Sequence, residues 1–223
     1  MVIKKEVMAL LKANFKTTGS ITIDDKGLVS CTGMVTPKKK LKRLPVAFDK
    51  VGGNFWCHNN QLTTLEGAPT SVGGNFWCDN NQLTTLEGAP TSVGGSFLCY
   101  SNQLTTLEGA PTSVGGDFYC DNNQLTTLEG APTSVGGNFW CKKNQLTALE
   151  GLPTIPGILH LSYSSTLPLL RCLLAKEIQL YPENGKHKTA ESILNKYAGQ
   201  GKRAMFDCQK ELEDAGFEGN AKW

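Results

Sequence analysis

The chain has 223 residues, with 22 Lys and Arg against 20 Asp and Glu and a formal net charge of +2. A balance this close to neutral excludes a strong overall field for nucleic acid or anionic lipid. No apolar run approaches the ~20 residues a membrane helix needs, so no membrane association is expected.

Val2, Ile3, Val7, Leu10, Leu11 and Phe15 fall at helical spacing and predict an amphipathic N-terminal helix. Charges interrupt this stretch and no small-residue cleavage site follows it, so it does not read as a secretion signal. A cytoplasmic location is expected. The next stretch, SITIDDKGLVSCTGMV, alternates and predicts a hairpin or capping strand. Residues 1–35 thus read as an N-terminal cap.

Residues 36–163 carry a repeat of period 21, with copies starting at Val51, Val72, Val93, Val114 and Val135. A degenerate copy precedes them, in which Leu41 and Leu44 fall 21 before Leu62 and Leu65. A shortened copy follows, with Ile155, Leu159 and Leu161 falling 20 after Val135, Phe139 and Cys141. The whole predicts a solenoid of six to seven coils. Within a unit, alternation in NFWCD predicts a strand with Phe76 and Cys78 inward and Asn75, Trp77 and Asp79 outward. "NNQ" turns the chain, and the Gly and Pro residues of EGAP and VGG mark bends. No helix fits in LTTLEGAPTSVGG, so the return segment is expected to be extended or tightly turned. One copy cannot bury its Phe, Cys and Leu alone; stacking gives a parallel sheet over a continuous core. The column Asn60, Asn81, Asn102, Asn123, Asn144 is expected to satisfy backbone groups in the turns. Five of the eight cysteines recur every 21 residues. That pattern predicts reduced, buried apolar thiols, not a disulfide framework or a metal site.

LTTLEGAPTSVGG and CxNNQLT resemble the leucine-rich-repeat proteins encoded by bacteriophages and prophages, over at least Leu41 to Leu161. The C-terminal ILNKYAGQGKRAMFDCQKELEDAGFEGNAKW is similar to the tail found on such proteins. The resemblance implies a leucine-rich-repeat solenoid of short parallel strands with mostly non-helical returns and helical caps at both ends. It also implies a bacterial host protein as partner. No cofactor is expected.

The copies differ mainly on the outward side of the strand. One column reads Asn54, Asn75, Ser96, Asp117, Asn138; the next Trp56, Trp77, Leu98, Tyr119, Trp140; the third His58, Asp79, Tyr100, Asp121, Lys142; the fourth Asn59, Asn80, Ser101, Asn122, Lys143. A row of exposed aromatic residues is of a kind tied to binding; a self-stacking ladder is the competing reading. The expected partner-binding set is Trp56, His58, Trp77, Asp79, Leu98, Tyr100, Asp117, Tyr119, Asp121, Trp140, Lys142 and Lys143. An acidic, aromatic centre with basic ends suits a protein partner. The run PKKKLKR, containing Lys38, Lys39 and Lys40, is expected on the rim of the sheet.

Residues 164–223 read as a C-terminal cap and tail. LPLLRCLLAKEIQLY is expected to plug the last coil as a helix or turn. A helix capped at Thr189 follows, then one with Met205, Cys208, Leu212 and Ala215 on one face, stopped by Gly216, and an exposed GNAKW. GQGKR lacks a P-loop pattern; Lys202 and Arg203 are its candidate phosphate or nucleic-acid contacts. His58, His160 and His187 share no motif with a nucleophile or second ligand, and no catalytic signature is present. The expected function is non-enzymatic binding of a bacterial defence or nucleic-acid-processing protein, inhibiting or redirecting it. The alternatives are a nucleic-acid-associated module or a virion or assembly component.

Overall fold

The structure, a computed structural model, describes residues 2–181, 187–200 and 202–223. Helix α1 (Val2–Asn14) buries Leu11 and leaves Ile3 and Leu10 outward. Phe15, expected on that helix, instead opens strand β1 (Phe15–Thr17), where it packs edge-on against Phe48. Strands β2 (Ile21–Ile23) and β3 (Val29–Cys31) form the expected hairpin, and Asp24 Oδ1 closes its turn by accepting the N–H groups of Lys26 and Leu28. Strand β4 (Val35–Pro37) runs antiparallel to β1.

From here each coil adds one short strand to each of two parallel sheets. The valine sheet receives β5 (Phe48–Val51). The phenylalanine sheet receives β6 (Phe55–Trp56). The alternation continues with β7 (Ser71–Val72), β8 (Phe76–Trp77), β9 (Ser92–Val93), β10 (Phe97–Leu98), β11 (Ser113–Val114), β12 (Phe118–Tyr119), β13 (Ser134–Val135) and β14 (Phe139–Trp140). Strands β15 (Ile155–Ser162) and β16 (Ala175–Tyr181) then extend the phenylalanine sheet alone. That sheet has nine strands, in the order β1-β4-β6-β8-β10-β12-β14-β15-β16, and the valine sheet has seven. The register is one repeat per strand: Phe55 pairs with Phe76, Phe76 with Phe97, Phe97 with Phe118 and Phe118 with Phe139. Phe139 then pairs with Leu159, matching the shortened copy. The fold is a parallel-strand β-solenoid with extended returns and short helices at its ends.

The core follows from the inward positions. Phe55, Phe76, Phe97, Phe118 and Phe139 are fully buried and stack with ring centroids 5.1–5.5 Å apart. Each such burial is worth roughly 1.5–3 kcal/mol. All eight cysteines are free and buried. Burial pushes the thiols of Cys57, Cys78, Cys99, Cys120 and Cys141 well above their usual range, as apolar packing predicts.

The asparagine column works as expected, and in more detail. Each Oδ1 accepts a leucine N–H from the preceding coil: Asn60 takes Leu41, Asn81 takes Leu62, Asn102 takes Leu83, Asn123 takes Leu104 and Asn144 takes Leu125. Each Nδ2 donates to the carbonyl of its own coil's cysteine; from Asn81 onward it also donates to the cysteine carbonyl of the coil before. The glycines of VGG let coils touch: a Cβ on Gly73 would lie 2.3 Å from the Gly52 carbonyl oxygen.

The C-terminal stretch departs from expectation. LPLLRCLLAKEIQLY forms a plug only in part, as a 3-10 turn at Leu170–Leu174; Ala175–Tyr181 becomes β16, because its apolar residues alternate. Helix α2 (His187–Tyr197) covers that last strand with side chains. Asn195 Oδ1 accepts the Ile178 N–H at 2.8 Å, its Nδ2 donates to the Ile178 carbonyl at 2.7 Å, and Glu191 accepts the Leu180 N–H. An open strand edge is thereby blocked. Thr189 lies inside the first turn of α2 and is not its cap. Helix α3 (Lys202–Asp214) buries Ala204, Cys208 and Leu212, and leaves Ala215 just beyond its end and exposed. Gly216, at φ +80°, stops it while Phe217 N–H returns to the Leu212 carbonyl. The final residues are not free: buried Asn220 donates to the carbonyls of Ser164 and Leu167 and accepts from the Tyr163 hydroxyl. Among the described residues no helix is long and apolar enough to cross a membrane.

Candidate functional site

The four outward columns share the open face of the nine-stranded sheet, but they do different jobs. The first column is structural. Asn54, Asn75, Ser96, Asp117 and Asn138 each accept the backbone N–H of the matching residue one coil on, at 2.7–3.1 Å. Asp117 also accepts the Tyr119 hydroxyl at 3.0 Å. This use of both oxygens turns a residue expected to select a partner into a bracket between strands. Burial, then the Asp117 carboxylate, pushes the Tyr119 hydroxyl up to about 12.

The fourth column is structural for a different reason. Asn59, Asn80, Ser101, Asn122 and Lys143 all have φ of 53–54°, the left-handed region. Asparagine tolerates it through local hydrogen bonding; serine and lysine sit there at a cost. Lys143, expected as a partner contact, is first of all the residue occupying this turn, with its N–H donated to Ser162 Oγ at 2.8 Å.

The second column is a stacked ladder. Trp56 stacks on Trp77 at 5.2 Å, Leu98 interrupts, and Tyr119 stacks on Trp140 at 5.4 Å. The rings are half-buried, not openly displayed, because each covers its neighbour. The indole Nε1 atoms of Trp56, Trp77 and Trp140 are buried without a hydrogen-bond partner. The ladder continues past the regular repeat into His160, whose ring lies 3.3 Å from that of Trp140 and whose Nδ1 is 3.1 Å from the Tyr181 hydroxyl. Sequence reasoning weighed His160 only as a nucleophile's partner or ligand and passed over Tyr181; the alignment of Leu159 with Phe139 already set His160 in the tryptophan column.

The third column carries the individual chemistry: His58, Asp79, Tyr100, Asp121 and Lys142. His58 tilts against Trp77 with ring centroids 5.4 Å apart. Asp79 is not an open charge. It is 2 % exposed, its Oδ2 accepts Asn80 Nδ2 at 2.8 Å, and burial, then the Asp79 carboxylate, raises the Tyr100 hydroxyl above its usual range. Its Oδ1 has no partner. Asp121 Oδ1 accepts the Lys142 N–H at 2.7 Å, and burial raises its carboxyl above the usual range. The Lys142 ammonium sits over the Tyr181 ring at 4.0 Å and the Trp140 ring at 5.0 Å.

Lys38, Lys39 and Lys40 are exposed beside Trp56 and His58, at the rim where the sequence put them. Lys202 and Arg203 begin α3, but their side chains lie outside the described residues. Among the described residues no three His, Cys, Asp or Glu side chains gather in a metal-holding group.

The class defined by fold and face is a parallel β-solenoid repeat protein whose chemical individuality is confined to one sheet face. Comparison with protein-family models, curated proteins and solved structures gave no match.

Proposed function

We propose that this chain is a non-enzymatic protein-binding module that engages its partner through the outward face of the nine-stranded sheet. One observation carries the reading. Every regular coil presents the same backbone, yet the third column changes at each step from His58 to Asp79, Tyr100, Asp121 and Lys142. Packing between identical coils asks for one residue, as the unchanging Ser71, Ser92, Ser113 and Ser134 on the valine sheet illustrate. Four residue types over five positions, on a rigid aromatic rail, suit recognition of an irregular protein surface, where preorganised aromatic groups supply most of the affinity.

The finer reading rests on resemblance. The 21-residue units look like the leucine-rich repeats of bacteriophage proteins, which points to a bacterial host protein as partner, in defence or nucleic-acid processing. Binding would occlude or redirect that protein. The test is capture from bacterial lysate with three proteins: wild type, a Tyr100→Ser, Lys142→Ala face variant, and a Ser92→Ala, Ser113→Ala variant on the valine sheet. The face variant should lose the captured protein and the valine-sheet variant should keep it. Equal recovery by all three would remove the face as the binding surface.

A further inference from the structure

Within the aromatic ladder almost every ring face is covered. Trp77 lies between Trp56 and Leu98, Tyr119 between Leu98 and Trp140, and Trp140 between Tyr119 and His160. The first rung differs. Val35 pairs with Phe55, which sets Thr36, a small residue, beside Trp56 on its outer side. The space left there is a cavity of about 220 Å³ lined by Thr36, Lys38, Lys39, Lys40, Trp56 and His58 among others. One wall is thus an indole, and the rim is three cations.

The cations are not equivalent. Lys38 Nζ is held by the Lys12 carbonyl at the end of α1. Lys39 and Lys40 are exposed, and neither makes an ion pair among the described residues. His58 completes the lining. An aromatic wall beside free ammonium groups suits a ligand that is both planar and anionic. The volume is below the ~300 Å³ at which small-molecule pockets begin, so it seats one base, with the sugar and phosphate reaching out to the lysine rim, and not a long ligand.

We infer that this cup binds a single nucleotide unit, with the base against Trp56 and the phosphate between Lys39 and Lys40. The unit is either a free nucleoside monophosphate or the phosphorylated end of a single strand. The proposal shares Trp56 and His58 with the protein-binding face, but nucleotide binding and protein capture are measured separately, so either can fail alone.

The test is quenching of tryptophan fluorescence by four probes: adenosine monophosphate, adenosine, inorganic phosphate and a 5′-phosphorylated single-stranded oligonucleotide. Adenosine monophosphate should quench saturably, with binding weakened about tenfold or more in Lys39→Ala, Lys40→Ala, a change at exposed positions that leaves the fold intact. Trp56→Leu, which removes the reporting indole and is therefore read by isothermal titration calorimetry, should weaken binding by a similar factor of roughly ten, as base stacking predicts. Oligonucleotide binding at least as tight as the monophosphate assigns the strand end; weaker binding assigns the free nucleotide. Adenosine binding as well as its monophosphate, or phosphate competing equally, would overturn the proposal. So would the absence of saturable quenching by both the monophosphate and the oligonucleotide.

Discussion

Replacing Asn81 with leucine isolates what the asparagine column does. Asn81 is 9 % exposed, and leucine fills nearly the same space without a donor or an acceptor. Its Oδ1 accepts the Leu62 N–H at 3.0 Å; its Nδ2 reaches the carbonyls of Cys57, Cys78 and Asp79 at 2.9, 3.0 and 3.2 Å. The losses are unequal. The Cys57 carbonyl keeps Asn60 Nδ2, the Cys78 carbonyl keeps Asn102 Nδ2, and the Asp79 carbonyl keeps the Asn59 N–H. The Leu62 N–H is orphaned in a buried turn. One orphaned buried donor costs about 1–3 kcal/mol, and each weakened carbonyl about half a kcal/mol or more, for a total of roughly 3–5 kcal/mol. A domain holds only about 5–15 kcal/mol in all, so the urea midpoint should fall sharply. Exposed Gln82→Ala, the neighbour in sequence, should change stability by less than about 0.5 kcal/mol. If urea unfolding followed by far-UV circular dichroism places Asn81→Leu within about 1 kcal/mol of wild type, the inter-coil bonds do not hold the coils together as argued.

Three further outcomes follow from other columns. Lys143→Asn and Ser101→Asn, both at φ 53°, should each raise stability by about 0.5–1 kcal/mol in the same assay, because asparagine is better suited to this region; an unchanged midpoint in both would remove strain at these turns as a factor. Gly73→Ala should destabilise by roughly 3 kcal/mol or more, since its Cβ would meet the Gly52 carbonyl oxygen at 2.3 Å, whereas Gly199→Ala, with open space around it, should cost about 1 kcal/mol for its φ of +71° alone. His160 is 3 % exposed, and burial, then the Lys142 charge, lowers its pKa from 6.5 to about 4. Between these values the unfolded chain binds a proton that the folded chain does not. Stability is therefore full above pH 6.5 and falls as the pH drops through the window, by up to about 3 kcal/mol. His160→Phe should flatten that slope in urea titrations run across the window, and an unchanged slope would place the pH dependence elsewhere.

The solenoid was legible because every coil states its own pattern: Phe76 and Cys78 inward, Asn81 in the turn, Val72 on the return. The second sheet was less legible, since its strands are two residues long and "TSVGG" reads as a bend as easily as a strand. The outward face was legible as a face but not in its division of labour. Nothing in "DNNQ" reveals that Asn80 is there for its φ and Asn81 for its amide, because one residue type serves both needs. Asp79 and Asp117 look alike as charges; only packing separates a carboxylate buried against its neighbour Asn80 from one that brackets two strands. Ala175–Tyr181 was misjudged because LPLLRCLLAKEIQLY is apolar at both helical and alternating spacing, and a waiting sheet edge decides between them.

The identical pairing of each coil with the next bears on how the chain finds its structure. Partners lie one repeat apart, so closing a coil requires only a short loop, and ordering can spread from any copy to its neighbours. But a coil that skips its neighbour and docks on the next finds the same Phe, Cys, Asn and Val waiting. Within the five regular copies, the contacts themselves do not count. Counting falls to the unlike ends: the hairpin of β2 and β3 with α1 at one side, and β16 under Asn195 and Glu191 at the other. Each fits one coil only, and together they fix which copy lies against which.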